Sequence, residues 1–255
     1  MLFRIKSINL SFKEKQILKD ISLDILSGEL IGILGPNGSG KTSFLKILSN
    51  IINPNVGEIL IDTKPLKSFS NQNLSQMISY LPQEIEMVWP LSVEQVISLG
   101  LIPYSYSKKI SNLQKLNKLQ EVMRELDLSK LSQINFKNLS TGEKARTMIA
   151  RALISCPKIF LADEPTASLD PYYQLVIMDL LKRKAQQGLV VIVALHDLNH
   201  AGRYCDKLIL LNKGSLMAYD EPDKVLTKEN ISKVYNVNIE KGYNNSFFVT
   251  PFQLK

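Results

Sequence analysis

Apolar and polar residues alternate through the opening stretch MLFRIKSINLSFKEK and again through ILKDISLDI, residues 17–25, the period expected of strands with one covered face. The polar segment Lys13–Gln16 between them predicts a turn, so the two read as an antiparallel hairpin. ELIGILG, residues 29–35, is continuously apolar instead, as in a strand buried on both faces, and runs through Gly-Pro-Asn into a helical stretch, KTSFLKILSNI. Short strands are predicted at 56–62 (VGEILID) and 78–83 (ISYLPQ). From about 84 to 155 the period becomes helical, in SVEQVISLGL, NLQKLNKLQEVMRELDL and EKARTMIARAL, with no strand among them. After residue 157 buried strands and helices alternate: KIFLADEP, PYYQLVIMDLLKRKAQQG, LVVIVALHD, NHAGRYC, then a closing hairpin around Lys213–Gly214. This order predicts an α/β fold with a mainly parallel sheet, an N-terminal antiparallel β part and an inserted helical block.

Composition changes little in this picture. At 45% hydrophobic and 22% charged, the 255 residues supply ample material for a core. The formal charge of +7 is spread along the chain with no aromatic-interleaved basic stripe, so no nucleic-acid partner is expected. The N-terminus lacks the apolar core and small-residue site of a signal peptide, and LVVIVAL (189–195) is far too short to cross a bilayer. The chain therefore reads as soluble. Its two cysteines, Cys156 and Cys205, are too few for a disulfide framework or a Cys-rich zinc site, and both are expected to pack as small buried residues in a reducing compartment.

The chemistry begins after the buried strand LIGIL. Gly35, Pro36, Asn37, Gly38, Ser39, Gly40, Lys41, Thr42 and Ser43 fit the phosphate-loop pattern in its strand–loop–helix context. Glycines let the backbone wrap a phosphate with its amides pointing inward at a helix start. Lys41 is expected to reach the β- and γ-phosphates and Thr42 to ligate Mg²⁺. A second buried strand, IFLAD, ends in Asp163, a candidate Mg²⁺ partner, followed by Glu164, a candidate general base or water-orienting group. His196 ends a third strand at the edge where parallel sheets bind ligands.

In order, the motifs are Gly35–Thr42, Gln83, LSTGE (139–143), LADEP, SLD (168–170) and His196. This set resembles the ATP-binding subunits of ABC transporters across almost the whole chain. The resemblance implies one ABC ATPase domain over 1–255, with an ATP-binding core at 1–83 and 156–255 and a helical subdomain at 84–155. It implies ATP and Mg²⁺ as cofactors and a head-to-tail homodimer that sandwiches two nucleotides. Leu139, Ser140, Thr141, Gly142 and Glu143 match the signature, which completes the nucleotide site of the opposite subunit through Ser140 and the Gly142 amide. Gln83 matches the glutamine that senses Mg²⁺ and γ-phosphate. Ser168, Leu169 and Asp170 match the loop linking the two sites, and Phe12 stands where an aromatic stacks on adenine. Two departures stand out: Thr141 replaces the usual Gly, straining a position that needs φ > 0, and Glu143 replaces the usual Gln.

The absence of a membrane span implies a separate polytopic permease, contacted through the 84–110 region and the Gln83 loop, with the chain peripheral at the cytoplasmic face of the membrane. The segment HDLNHAGRYCDKLILLNKGSLMAYDEPDKVLTKENISKVYNVNI, with SVEQVISLGLIPY, is similar to importer ATPases for iron-siderophores, haem and vitamin B12, although Leu101 replaces the usual Arg. Such importers draw ligand from an extracytoplasmic binding protein. The alternatives are an ABC ATPase of another importer or exporter, a nucleic-acid or translation ABC ATPase, and a plain phosphate-loop kinase. The last leaves LSTGE and SLD unexplained.

Overall fold

The computed structural model describes residues 1–83, 89–104, 111–243 and 247–254. Parts of the expected permease-facing region, 84–88 and 105–110, thus lie outside the described residues.

The chain runs β1 (Leu2–Phe12), β2 (Lys15–Leu26), β3 (Leu30–Leu34), α1 (Lys41–Leu48), β4 (Val56–Ile61), β5 (Lys64–Pro65), α2 (Asn71–Met77) and β6 (Ile78–Leu81). Three helices follow: α3 (Val93–Ser98), α4 (Asn112–Glu125) and α5 (Thr141–Leu153). Then come β7 (Ile159–Asp163), α6 (Pro171–Gln186), β8 (Val190–Ala194), α7 (Leu198–Tyr204), β9 (Lys207–Asn212) and β10 (Ser215–Asp220). The chain closes with α8 (Pro222–Val225), α9 (Lys228–Tyr235), β11 (Val237–Tyr243) and β12 (Phe247–Leu254). The sequence pattern did not indicate α2 or the four elements after β10.

Ten strands form one sheet in the order β5-β4-β1-β2-β10-β9-β3-β8-β7-β6, and β11-β12 form a separate hairpin. The stretch β9-β3-β8-β7-β6 is parallel throughout. The strands β3, β7 and β8 are buried at every residue, which explains their unbroken apolar runs. The antiparallel arm of β1, β2, β4 and β5 joins through a single parallel pairing, Ser215 with Lys19. In β1 the alternation changes phase: Phe3, Ile5, Ile8 and Leu10 are the buried positions. The register shifts between Ile5 and Ile8, where Ser7 has φ 47°, so one extra residue switches which parity faces inward.

Helices α3, α4 and α5 each begin at a serine with a reciprocal capping box: Ser92 with Gln95, Ser111 with Gln114, Ser140 with Glu143. Their apolar faces meet the sheet in one core that includes Val93, Ile97, Met123, Ile149, Leu153 and Phe160. Gly100 lies against α5 so closely that a Cβ there would sit 2.0 Å from the Arg151 carbonyl oxygen and 2.6 Å from Ile154 Cγ2. Among the described residues no helix is long and apolar enough to cross a membrane.

The cysteines divide. Cys205 is buried, and desolvation holds its thiol far above the ordinary range. Cys156 is exposed, contrary to expectation. It falls in the turn after α5 with φ 50°, and its sulfur accepts from Lys118 Nζ at 3.0 Å. The chain is leaving the helix toward Pro157 there, and Cys156 lines an open surface cavity with Leu153, Pro157 and Lys158.

Two outcomes follow from this packing. Gly100→Ala should destabilise the protein by about 1–3 kcal/mol, because a backbone carbonyl cannot yield as a flexible side chain would; a lower urea midpoint at unchanged slope would show it. The Glu143 carboxylate accepts from the Ser140 amide at 2.8 Å and from its hydroxyl at 2.9 Å, and these bonds, the amide first, lower its pKa from the ordinary 4.5. A carboxyl depressed in the folded state stabilises above the unfolded pKa and loses that contribution as pH falls through the folded value. Glu143 is solvated, so the contribution should be under about 1 kcal/mol. Between pH 6 and pH 3, Glu143→Gln should lose correspondingly less stability than the unaltered chain in urea titrations.

Candidate active site

The end of β3 meets the phosphate-loop sequence at Gly35, whose φ is 148°. A Cβ here would fall 2.3 Å from the Leu211 carbonyl oxygen and 2.5 Å from Ser39 Oγ, so the loop can leave the strand at this angle only with glycine. Helix α1 starts after Gly40, which has φ 105° and offers no capping side chain. The first-turn amides are therefore left for a ligand. Lys41 is buried, and its Nζ donates to the Gly35 carbonyl at 2.7 Å. Burial lowers the Lys41 pKa, and the charges of Glu164 and Asp163 oppose that shift. Ser39 Oγ is buried without a hydrogen-bond partner.

These residues line a cleft of about 640 Å³ that takes in Asn37, Gly38, Ser39, Gly40, Lys41, Thr42 and Ser43. Gln83, Glu164 and His196 close its other side, and Lys15, Lys19 and Lys213 add positive charge at its margin. Sequence reasoning passed over those three lysines, because their approach depends on the β1–β2 and β9–β10 turns folding over the loop. A cleft with free helix-start amides and four lysines suits a polyphosphate.

Opposite the loop, Asp163 ends β7, buried, with Oδ1 lacking any partner. A buried carboxylate oxygen with nothing to accept from fits a cation ligand; Asp163 borders a smaller cavity that shares Gln83 and Glu164 with the cleft lined by Thr42. Among the described residues no cluster of three or more His, Cys, Asp or Glu side chains is present. This donor set suits Mg²⁺ shared with phosphate and water rather than a metal caged by protein.

Glu164 has φ 55°, a strained conformation for a non-glycine residue, and its N–H donates to the Ala194 carbonyl at 3.2 Å. Its carboxylate is gripped from two sides. Gln83 Nε2 donates to Oε2 at 2.7 Å, and His196 Nε2 pairs with Oε1. Three residues predicted separately, at the ends of β6, β7 and β8, thus converge on one carboxylate.

The signature residues are placed differently. Leu139 is buried, Ser140 caps α5, and neither Ser140 nor Gly142 lines the cleft. Thr141 borders a smaller cavity of about 180 Å³ with Gln83, Asp163, Glu164 and Ser168. The strain expected of Thr141 is absent: it is the first residue of α5, and φ there is not positive. Helical backbone accepts a β-branched residue that a left-handed turn would reject. A Cβ on Gly142 would lie 3.7 Å from Leu169 Cδ2 and 3.8 Å from the Ser168 carbonyl oxygen, so LSTGE and SLD touch within one chain. Leu169 is buried, and Asp170 caps α6 through the Tyr173 amide at 3.0 Å. Phe12, at the tip of the first hairpin, is 73% exposed and leaves a bare aromatic face near the cleft margin.

One contact between the helical block and α6 had no sequence signal. The Arg146 guanidinium lies 3.8 Å from the Tyr173 ring centroid and donates to the Leu126 and Asp127 carbonyls at 2.7 and 2.9 Å. It ties the signature helix to the helix that Asp170 caps.

Comparison with known proteins agrees with this geometry. The family model described as ABC transporter matches residues 18–167. The chain is 36% identical over 245 residues to the hemin import ATP-binding protein HmuV of Shewanella denitrificans, covering 94% of this chain and 95% of that protein. It is 33% identical over 235 residues to the HmuV protein of Thermobifida fusca, covering 92% and 82% of the two chains. Among solved structures, a transporter described as of metal-chelate type, in an inward-facing conformation, superposes with a TM-score of 0.83 at 25% identity, covering 99% of this chain and 97% of that one. The dimeric ATP-binding cassette MJ0796 bound to ADP and Pi superposes with a TM-score of 0.78 at 28% identity, covering 86% of this chain and 98% of that one. The chain belongs to the ABC transporter family, as one of its ATP-hydrolysing subunits.

Proposed function

We propose that this protein powers import of an iron-siderophore, haem or cobalamin-type ligand through a separate membrane permease. The likeness to hemin import ATP-binding proteins over nearly the full chain supports the ligand class. The observation that carries the chemistry is the Glu164 carboxylate, held by Gln83 and His196 across the cleft from the Lys41 loop.

In this reading residues 1–255 form one ABC ATPase domain, with 1–83 and 156–255 as the ATP-binding core and 84–155 as the helical subdomain. ATP lies in the cleft of the Gly35–Ser43 loop, with its phosphates on the amides from Gly38 to Ser43 and on Lys41, and its adenine against Phe12. Mg²⁺ would be held by Thr42, Asp163 and Gln83, where it supplies charge neutralisation for the phosphates. Lys41 exchanges its bond to the Gly35 carbonyl for phosphate oxygens, an ionised acceptor in place of a neutral one. Ser140 and Gly142 stay outside their own cleft because they serve the nucleotide of a second copy, with Ser168, Leu169 and Asp170 between the two sites. The helix-start amides beside Ser140 then face the γ-phosphate from the far side. Glu164 accepts the proton of the attacking water or orients it, and His196 and Gln83 hold its carboxylate in line. Closure of the homodimer moves the 84–110 region and the Gln83 loop against the permease, which keeps the chain at the cytoplasmic face of the membrane. An extracytoplasmic binding protein delivers the ligand, and nucleic acid has no part.

Glu164→Gln should bind ATP, accumulate as a closed dimer on size exclusion, and release phosphate about 10²- to 10⁴-fold more slowly. Turnover equal to the unaltered chain would remove Glu164 from the role of base. The transport reading is tested by tagging the chain, solubilising membranes gently and identifying what co-purifies. A polytopic permease is the expected result, and ribosomes or nucleic acid would overturn it.

A further inference from the structure

The C-terminal segment reaches the nucleotide cleft from behind. Gly35 N–H donates to the Tyr235 hydroxyl at 2.8 Å, across 200 positions of sequence. Gly35 is thereby fixed on both sides, since its carbonyl accepts from Lys41 at 2.7 Å. It is also the residue whose φ of 148° sets how the loop leaves β3. Tyr235 does not line the cleft, so it touches the loop and not the nucleotide.

The segment that carries Tyr235 is built to hold it still. Tyr235 is the last residue of α9, and Asn236 follows with φ 58°, turning the chain into β11. Ile231 and Val234 of that helix are buried in the main core, and Thr227 caps it through the Asn230 amide at 3.1 Å. The same segment also grips the start of α7, because Val249 N–H donates to Asn199 Oδ1 at 2.7 Å and Asn199 lies three residues after His196. Burial raises the Tyr235 phenol to about 12, so its oxygen stays a neutral acceptor. Tyr235 also lies beyond residues 18–167, the part matched by the family model.

We propose that Tyr235 is a positioning residue for ATP binding: its hydroxyl holds the peptide entering Gly35, so that the loop amides are preset for phosphate. This rests on the phosphate-loop reading above. Without the hydroxyl, the free loop relaxes to give the Gly35 N–H another acceptor, and nucleotide must then restore the bound shape with that N–H unpaired.

The test measures MgATP affinity by isothermal titration, and KM and kcat by phosphate release, on the full chain and three variants. Tyr235→Phe removes the hydroxyl and keeps the ring. It should raise Kd and KM about five- to thirtyfold, with kcat at saturating ATP within about twofold. Val234→Ala loosens the same helix but leaves the hydroxyl; it should lower the melting temperature while Kd and KM stay within about twofold. Unchanged Kd and KM in Tyr235→Phe would overturn the proposal, as would an equal rise in Val234→Ala, which would reduce the effect to helix stability. Lys41→Ala separates the underlying reading, for if it binds ATP as the unaltered chain does, the phosphate loop is not the nucleotide site and the positioning role fails with it.

Discussion

The register of four parallel strands places everything that matters here. Ile33 pairs with Ala194, Ala194 with Asp163, and Ala162 with Leu81, so β3, β8, β7 and β6 end at one level. Each strand then releases its chain into the same crevice: Gly35 from β3, His196 from β8, Glu164 from β7 and Gln83 from β6. Strands lie about 4.8 Å apart, so the four chain ends span roughly 14 Å, near the scale of a nucleotide triphosphate. A slip of one residue in any pairing would turn Asp163 or Glu164 to the wrong face of the sheet.

On that frame the charges are arranged to be incomplete. A buried lysine beside two carboxylates is tolerable because Lys41 bonds to a loop carbonyl and its charge is favoured by Asp163 and Glu164. Asp163 keeps one oxygen without a partner, and the first turn of α1 keeps amides without a cap. In a structural region these would be faults. Here the α1 amides face the cleft that a magnesium–nucleotide complex would fill, and Asp163 lies at the adjoining cavity that shares Gln83 and Glu164 with it. The strained backbone at Glu164 belongs to the same pattern, since a left-handed conformation persists only where the surroundings hold it.

The helical block obeys a more local logic. Its three helices begin where a serine and a residue three positions on bond each other reciprocally, and Ser140 is one of these. Glu143, unusual for the signature, here completes the capping box, and its carboxylate accepts the Ser140 hydroxyl proton. In the proposed dimer that hydroxyl would meet a phosphate, and its proton, held here by Glu143, would turn to it while the oxygen goes on accepting from the Glu143 amide. Arg146 over Tyr173 joins this helix to α6, and Gly142 lies beside Leu169 of the loop before it.

Much of this was legible in the amino-acid order, and the division has a physical cause. The buried strands, the phosphate loop, the helical period of α3, α4 and α5, and the acidic pair at the end of β7 rest on interactions within a few residues. Short windows of sequence therefore determined them. The phase change at Ser7 was not legible, because a bulge forms from pairing with two partner strands. The exposure of Cys156, the three lysines at the cleft margin and the tie from Tyr235 to Gly35 were hidden for the same reason. Each depends on which distant segments the sheet register brings together, and that is fixed only when the whole core packs.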